Sequence, residues 1–253
     1  MTWENKLLAA GLLVGLLAGA VAAEPFSFVV FGDNRDGEET FLRLIDKVNQ
    51  EDNLAFGFNT GDFVSQGQEW EYKHYLALTK KLKPKIYNVP GNHDMVKYGY
   101  KYFTKYFGPY YYSFDYANSH FIVLNNAFNQ SFQAQQFAWL KQDLANTKQE
   151  HIFVFMHRPT FDPTEIYENY VMSGRQTVKA LMELFTRYNV DYVFAGHLHG
   201  YARAEREGVV YIIAAGAGAP LYLPKAFGGF NHYVKITVDE NKISDKVVRI
   251  SHD

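Results

Sequence analysis

Cysteine is absent from the 253-residue chain. Without thiols there is neither a disulfide framework nor a thiolate metal site, so any bound metal must be held by histidine, aspartate and asparagine. The chain also lacks an excess of one charge, because 25 basic and 27 acidic residues leave a formal net charge of −2. This balance gives no indication of nucleic acid or an anionic membrane surface as a partner.

Internal repeats and low-complexity linkers are absent as well. With 47% hydrophobic residues, the chain beyond its N-terminal segment is long enough to bury one large core without dividing. We therefore expect a single domain over residues 24–253. The composition does not determine the oligomeric state.

The first 23 residues have the pattern of a targeting segment. Lys6 precedes an apolar stretch over residues 7–22, and small residues suited to signal-peptidase cleavage lie before Glu24. The sequence therefore predicts a signal peptide over residues 1–23 and export to the periplasm or the extracellular space. The alternative is an uncleaved N-terminal anchor, in which case the protein would be attached to a membrane.

Five apolar segments have the pattern of β-strands. Each is short, rich in aromatic or β-branched residues, and bounded by turn-forming residues. Helical patterns lie between them, with apolar residues at helical spacing. The alternation predicts βαβ units and a largely parallel sheet in the first half of the chain. The segments are residues 26–31, 54–59, 85–89, 151–156 and 190–195.

The pattern changes after Gly208. Strand-like segments over residues 209–215, 231–238 and 243–250 follow one another without a long helix between them. This arrangement predicts a meander or hairpins on a second sheet.

Polar motifs come directly after the five earlier segments. Open α/β proteins bind ligands at the carboxyl ends of their strands, so the fold should bring these motifs together. They contain two carboxylates, an amide oxygen and three imidazoles, which suit divalent Mn, Fe, Zn, Co or Ni and predict a two-metal site. The motifs are Gly32-Asp33, Gly61-Asp62, Gly91-Asn92-His93-Asp94, Met156-His157 and Gly196-His197-Leu198-His199.

The last motif imposes a condition on the backbone. His197 and His199 would point to opposite faces if the strand continued through them. Both can reach one site only if the backbone turns at Gly196, which a glycine permits.

This ordered set of motifs resembles the calcineurin-like metallophosphoesterase superfamily, which includes purple acid phosphatases and bacterial metallophosphatases. The resemblance covers nearly all of the chain beyond the N-terminal segment. It implies an α/β fold, a four-layer α/β/β/α sandwich of two mixed β-sheets flanked by helices. It also implies a dinuclear metal site at the carboxyl ends of the strands.

The resemblance further implies a role for each motif residue. Two divalent transition-metal ions would activate a bridging water for attack on phosphorus and hold the phosphoryl oxygens. His93 would be the general acid that protonates the leaving group. The candidate metal ligands are Asp33 and His199 for the first metal, Asn92, His157 and His197 for the second, and Asp62 for both.

Arg35 departs from the commonest family pattern, Asp-x-His, in which a histidine at this position binds the first metal. A guanidinium cannot bind a metal ion, so we expect a weaker first site completed by water. Two interpretations of Arg35 remain open. It either binds substrate phosphate or forms an outward salt bridge with a neighbouring carboxylate. The neighbouring carboxylates are Asp36, Glu38 and Glu39.

We therefore expect a metal-dependent phosphoester hydrolase, more specifically a phosphomonoesterase acting on a small phosphorylated substrate. Substrate selectivity should come from rim loops, for which residues 98–116 and 161–170 are candidates. One alternative is a phosphodiesterase or nucleotide hydrolase. Another is a non-catalytic binding protein that retains one metal. His93 favours an enzyme, since a binder needs no proton donor, whereas the missing histidine at position 35 favours the binder.

Overall fold

The structure is a computed structural model that describes residues 24–128 and 132–251. The predicted signal peptide or anchor, residues 1–23, lies outside the described residues. Within those residues, no helix is both long and apolar enough to cross a membrane.

The described chain alternates strands and helices as far as residue 195 and is mostly strand beyond it. The strands are β1 Phe26–Phe31, β2 Leu54–Asn59, β3 Lys85–Asn88, β4 Tyr112–Tyr116, β5 Ser119–Val123, β6 His151–Phe155, β7 Tyr192–Ala195, β8 Tyr201–Arg206, β9 Val209–Ala214, β10 His232–Asp239 and β11 Lys242–Arg249. The α-helices are α1 Glu38–Val48, α2 Glu69–Thr79, α3 Asn92–Met95, α4 Gly99–Phe107, α5 Ala134–Asn146 and α6 Arg175–Arg187.

These strands form two mixed sheets. The first has the order β11-β10-β1-β2-β3, in which β1, β2 and β3 are parallel and β10 is antiparallel to β1. The second has the order β4-β5-β6-β7-β9-β8, in which β5, β6, β7 and β9 are parallel. The two sheets therefore each place several carboxyl ends along one edge.

The layers follow from alternation of side chains along the strands. In β1, Phe28 and Val30 face the core between the sheets, whereas Val29 and Phe31 face the apolar sides of α1, α2 and α4. On the second sheet, residues such as Val154 pack against α5 and α6. The four-layer α/β/β/α sandwich expected from the sequence is confirmed.

The core between the sheets is built largely from phenylalanine. Phe58 of the first sheet and Phe155 of the second stack with ring centroids 3.6 Å apart, and both are fully buried. Burying one such side chain stabilises a fold by roughly 1.5–3 kcal/mol. This contact lies close to the strand ends and fixes the two sheets relative to each other.

β10 and β11 form a hairpin as expected, but the expectation that they lie on the second sheet is wrong. Only β9 joins the second sheet, together with β8, which the sequence patterns had not indicated. The β10–β11 hairpin joins the first sheet beside β1. The physical reason is that β10 places Val234 and Ile236 in the core between the sheets, while on its other face Tyr233 packs against the helices and Lys235 pairs with Glu51. A strand that contributes to both layers fits an interior position.

Candidate metal centre

The six candidate ligands converge where the carboxyl ends of both sheets meet. Asp33, Asp62 and Asn92 follow β1, β2 and β3 of the first sheet. His157 follows β6 of the second sheet, and the turn after β7 carries both His197 and His199. The site therefore lies across the gap between the two sheets.

Three of these side chains surround the fourth, His157. Its Nε2 lies 3.1 Å from Asn92 Oδ1, 3.4 Å from Asp62 Oδ1 and 3.2 Å from His197 Nδ1. Ligand atoms of Asp62, His157 and His197 all lie within 4.8 Å of one another. Asn92, His157 and His197 are the residues that the resemblance assigns to the second metal, and Asp62 is the one it assigns to both metals.

The orientation of His157 suits metal binding. Its Nδ1 lies 2.9 Å from the carbonyl oxygen of Thr60, and because a carbonyl can only accept, Nδ1–H is the donor. Nε2 faces Asn92 Oδ1 and Asp62 Oδ1, which can only accept, so it carries the proton whose place a metal cation would take. A backbone carbonyl that fixes the far nitrogen in this way is typical of metal-binding histidines.

Asp33 and His199 form a separate pair. His199 Nε2 lies 3.3 Å from Asp33 Oδ1, and His199 Nδ1 donates to the carbonyl of Pro220 at 2.6 Å. The backbone N–H of His197 also donates to Asp33 Oδ2, at 3.1 Å. Among the described residues, this side of the site offers two ligands besides Asp62, whereas the other side offers three.

The charges in the site depend on one another. Burial opposes ionisation of Asp62, but the His157 imidazole outweighs it and holds the pKa of Asp62 below its ordinary value. Burial lowers the pKa of His157, but Asp62 outweighs it and raises that pKa to about 9. Burial and the charge on His157 lower the pKa of His197 to about 2. Asp62 thus attracts one positive charge into this group, and a metal cation would replace the proton on His157.

Three candidate ligands have a left-handed backbone, namely Asp33 (φ 58°), Asp62 (φ 56°) and His197 (φ 67°). The turn that brings His197 and His199 together therefore occurs at His197 and not at Gly196. Gly196 is required for another reason, since a Cβ there would lie 2.6 Å from Asp33 Oδ2. Left-handed conformations of residues other than glycine cost of order 1–3 kcal/mol each and cluster at functional sites.

Asp94 holds the two loops from the first sheet together. Its carboxylate accepts backbone N–H groups from Gly91 and Asp62 at 2.8 Å, from Phe63 at 2.9 Å and from Val64 at 3.0 Å. Sequence reasoning had noted Asp94 only as part of its motif. Its role in positioning Asp62 depends on contacts between distant loops, which a local pattern does not encode.

His93 lies beside the candidate ligands but is directed differently. Its backbone N–H donates to Asp62 Oδ1 at 2.8 Å, while its Nδ1–H donates to the carbonyl of Ser65 at 2.8 Å. Nε2 is then the nitrogen available to carry a proton to another group. The ring is half-buried at the edge of the site.

Arg35 forms the salt bridge that one interpretation expected, but it does not point outward. Nη1 contacts Asp36 Oδ2 at 2.6 Å, while Nε lies 3.9 Å from Asp62 Oδ2. The side chain is only 14% exposed. Of the other two acidic neighbours, Glu38 pairs with His74 and Glu39 with Arg43.

Two tyrosines form an aromatic wall beside His197 and His199. The ring of Tyr222 stacks on His199 with centroids 3.9 Å apart, and Tyr170 lies 5.9 Å from the His197 ring. Burial raises the pKa of Tyr222. Tyr170 belongs to the rim loop expected from the sequence. Tyr222 was missed, since it lies in a segment with no distinguishing pattern.

Comparisons with known proteins identify the family and the fold. A family model described as calcineurin-like phosphoesterase matches residues 26–201. A phosphoenolpyruvate phosphatase of Allium cepa is 32% identical over 130 residues, covering 47% of this chain and 26% of that protein. The Fe(3+)-Zn(2+) purple acid phosphatase 12 of Arabidopsis thaliana is 31% identical over 131 residues, covering 47% of this chain and 27% of that protein. The matched part is thus about a quarter of each relative's length.

Among solved structures, purple acid phosphatase PPD1 from yellow lupin (Lupinus luteus) seeds is similar with a TM-score of 0.73 at 16% identity. The match covers 91% of this chain and 52% of the lupin chain. At this level of identity the comparison establishes a shared fold.

Proposed function

This chain belongs to the calcineurin-like phosphoesterase family, and on that premise we propose that it is a metal-dependent hydrolase of small phosphomonoesters. The observation that carries the proposal is the convergence of Asn92, Asp62 and His197 on the Nε2 of His157. Both plant relatives are named as phosphatases, which supports a monoester as substrate.

The donor set fits the metals that the family implies. Asn92, Asp62, His157 and His197 would hold the tighter ion, and Asp33 and His199 would hold a weaker one with Asp62 shared between them. Carboxylate, amide and imidazole donors suit Fe, Zn, Mn, Co or Ni, and one plant relative is named for Fe and Zn. When bound, such ions supply an activated water and hold the phosphoryl oxygens.

The chain's own residues have distinct tasks in this proposal. His93 donates a proton from Nε2 to the leaving oxygen, while the carbonyl of Ser65 fixes the other ring nitrogen. Arg35 donates N–H groups to the substrate phosphate. Tyr170 and Tyr222 form the wall against which the organic part of the substrate lies.

The test pairs metal content with activity. We would strip the protein of metal, verify the loss, and measure hydrolysis of aryl phosphate, alkyl monoester, diester and nucleotide substrates before and after adding single divalent metals. We expect hydrolysis of monoesters only with metal. His197→Ala should abolish both metal binding and activity, whereas His74→Ala, at an exposed histidine, should change neither.

Two outcomes would contradict the proposal. Full activity after verified metal loss would exclude a metal-dependent mechanism. Tight metal binding without hydrolysis of any phosphoester would instead identify a binding protein that retains the metal.

A further inference from the structure

Arg35 lies on one particular side of the Asp62 carboxylate. Asp62 Oδ1 faces His157 Nε2 and accepts the backbone N–H of His93. Asp62 Oδ2 faces Arg35 Nε at 3.9 Å. The two oxygens therefore have different neighbours, an imidazole and a backbone N–H on one side and a guanidinium on the other.

The first metal also depends on the Asp62 carboxylate. Asp33 and His199 are the two other ligands on its side of the site, so an ion there would need the negative charge of Asp62 that Arg35 approaches. A guanidinium and a metal cation repel each other at such short range, and burial strengthens the repulsion because screening by water is reduced. Arg35 in this position opposes binding of the first metal.

The guanidinium is held here by few contacts. At 3.9 Å, Arg35 Nε is too far from Asp62 Oδ2 for a hydrogen bond, and it has no hydrogen-bond partner among the described residues although it is buried. Nη1 is paired with Asp36, whose other carboxylate oxygen accepts the hydroxyl of Ser65. A buried donor without an acceptor favours any ligand that brings one.

A phosphate group is such a ligand. Its oxygens accept two parallel N–H bonds from a guanidinium and compensate its charge. An Arg35 side chain engaged with phosphate no longer acts as the counter-ion of Asp62, whose carboxylate then becomes available to a metal.

We propose that Arg35 and the first metal compete for the Asp62 carboxylate, and that binding of a phosphate group relieves this competition. The first metal site is then completed when the substrate arrives. This inference rests on the proposed function in taking phosphate as the ligand of Arg35. Coupling of two binding events is reciprocal, so the metal must tighten phosphate binding by the same factor.

The experiment measures binding and needs no turnover. Metal-stripped protein is titrated with Mn²⁺ by calorimetry, without phosphate and with saturating inorganic phosphate. The variants are Arg35→Ala, which removes the competitor, and Arg43→Ala, a control at a more exposed arginine on α1 that pairs with Glu39. Circular dichroism verifies that each variant is folded.

Without phosphate, we expect the parent protein to bind one Mn²⁺ tightly. The second Mn²⁺ should bind to the parent at least about tenfold more weakly than to Arg35→Ala, a factor within the usual range of coupling. Saturating phosphate should remove this difference in affinity for the second Mn²⁺ between the parent and Arg35→Ala. Direct contact of phosphate with the metal would act in both proteins alike, so the difference between them isolates the contribution of Arg35. Arg43→Ala should behave as the parent.

Several results would overturn the inference. Equal Mn²⁺ affinities of parent and Arg35→Ala without phosphate would mean that Arg35 does not compete. A difference in affinity that persists in saturating phosphate would mean that phosphate does not move the guanidinium. Lack of a second Mn²⁺ in every variant would mean that the first site does not form. None of these results depends on catalysis, so failure of this inference is distinguishable from failure of the proposed hydrolysis.

Discussion

His93 is proposed to act in catalysis and not as a metal ligand. Its Nδ1 is committed to the carbonyl of Ser65, and its ring is not part of the group around His157. The residue therefore contacts Asp62 through its backbone only. Removal of the imidazole should leave the candidate ligands in place.

We predict that His93→Ala leaves metal content unchanged and lowers turnover by roughly 10²–10⁴, the usual contribution of general acid–base catalysis. The loss should be smaller for aryl phosphates with good leaving groups, because these need little protonation. Steady-state kinetics over a series of leaving groups, together with metal analysis, checks this. An equal loss for good and poor leaving groups would exclude His93 as the acid.

In contrast to His93→Ala, Asp62→Asn should change the metal content as well as the activity. The substitution keeps an oxygen for the N–H of His93 but removes the negative charge that both candidate metal positions share. We predict loss of bound metal and a reduction of kcat/KM by several orders of magnitude. Metal analysis and kinetics on the same preparation test this. Retention of two metals with normal activity would remove Asp62 from the centre.

At the residue scale, short motifs were sufficient to identify the six candidate ligands as a group. The sequence did not reveal the left-handed turn at His197, the four N–H bonds to Asp94 or the stacking of Tyr222 on His199. These features depend on which loops meet, and no local spacing records that. For Arg35, the sequence shows the departure from the family pattern but not the direction in which the side chain points.

At the scale of elements, His120 connects two strands and a helix. It lies in β5, and its Nδ1 contacts Asp115 of β4 at 2.5 Å while its Nε2 contacts Asp143 of α5 at 2.9 Å. Burial lowers the pKa of His120, but the two carboxylates outweigh burial and raise it above its ordinary value. The protonated ring can donate to both carboxylates at once.

This arrangement predicts a pH-dependent stability. Because the pKa is higher in the folded state, the stabilisation is fully present below the ordinary histidine pKa of about 6.5 and is lost as pH rises through the folded-state value. We predict that His120→Gln lowers the free energy of unfolding by about 1–3 kcal/mol at pH 6, and by less at alkaline pH.

Urea denaturation of the parent and His120→Gln between pH 5 and 9 tests this, since other titrating groups contribute equally to both and cancel in the difference. His74→Gln is the matched control because its partner Glu38 and its own ring are about half exposed. A difference between parent and His120→Gln that does not change with pH would show that His120 acts through packing alone.

The strands that carry the candidate ligands were predictable because each is a short apolar run that ends at a turn. The assignment of β10 and β11 to a sheet was not predictable in the same way. A hairpin can add to any free sheet edge, and only the assembled core shows that β10 places Val234 and Ile236 between the sheets and Tyr233 against the helices. The strand β8 is largely polar, which is why its pattern was not recognised.

At the scale of the whole molecule, export remains a prediction from residues 1–23. We expect full-length protein expressed in a bacterial host to be found outside the cytoplasm with a mature N-terminus at Ala23 or Glu24. Mass spectrometry of the intact purified protein tests this directly. Protein that retains Met1 and sediments with membranes would support the anchor instead.

The position of β10 has a consequence for how the protein reaches its native state. β1 is the central strand of the first sheet and carries Asp33 at its end, yet its neighbour β10 is about two hundred residues further along the chain. Pairings between such distant segments form late, because a large loop must close before any contact compensates for the lost entropy. A nascent chain therefore cannot complete this sheet until the C-terminal hairpin has been synthesised. The sheet edge that carries Asp33 is therefore completed only after nearly the whole chain has been made.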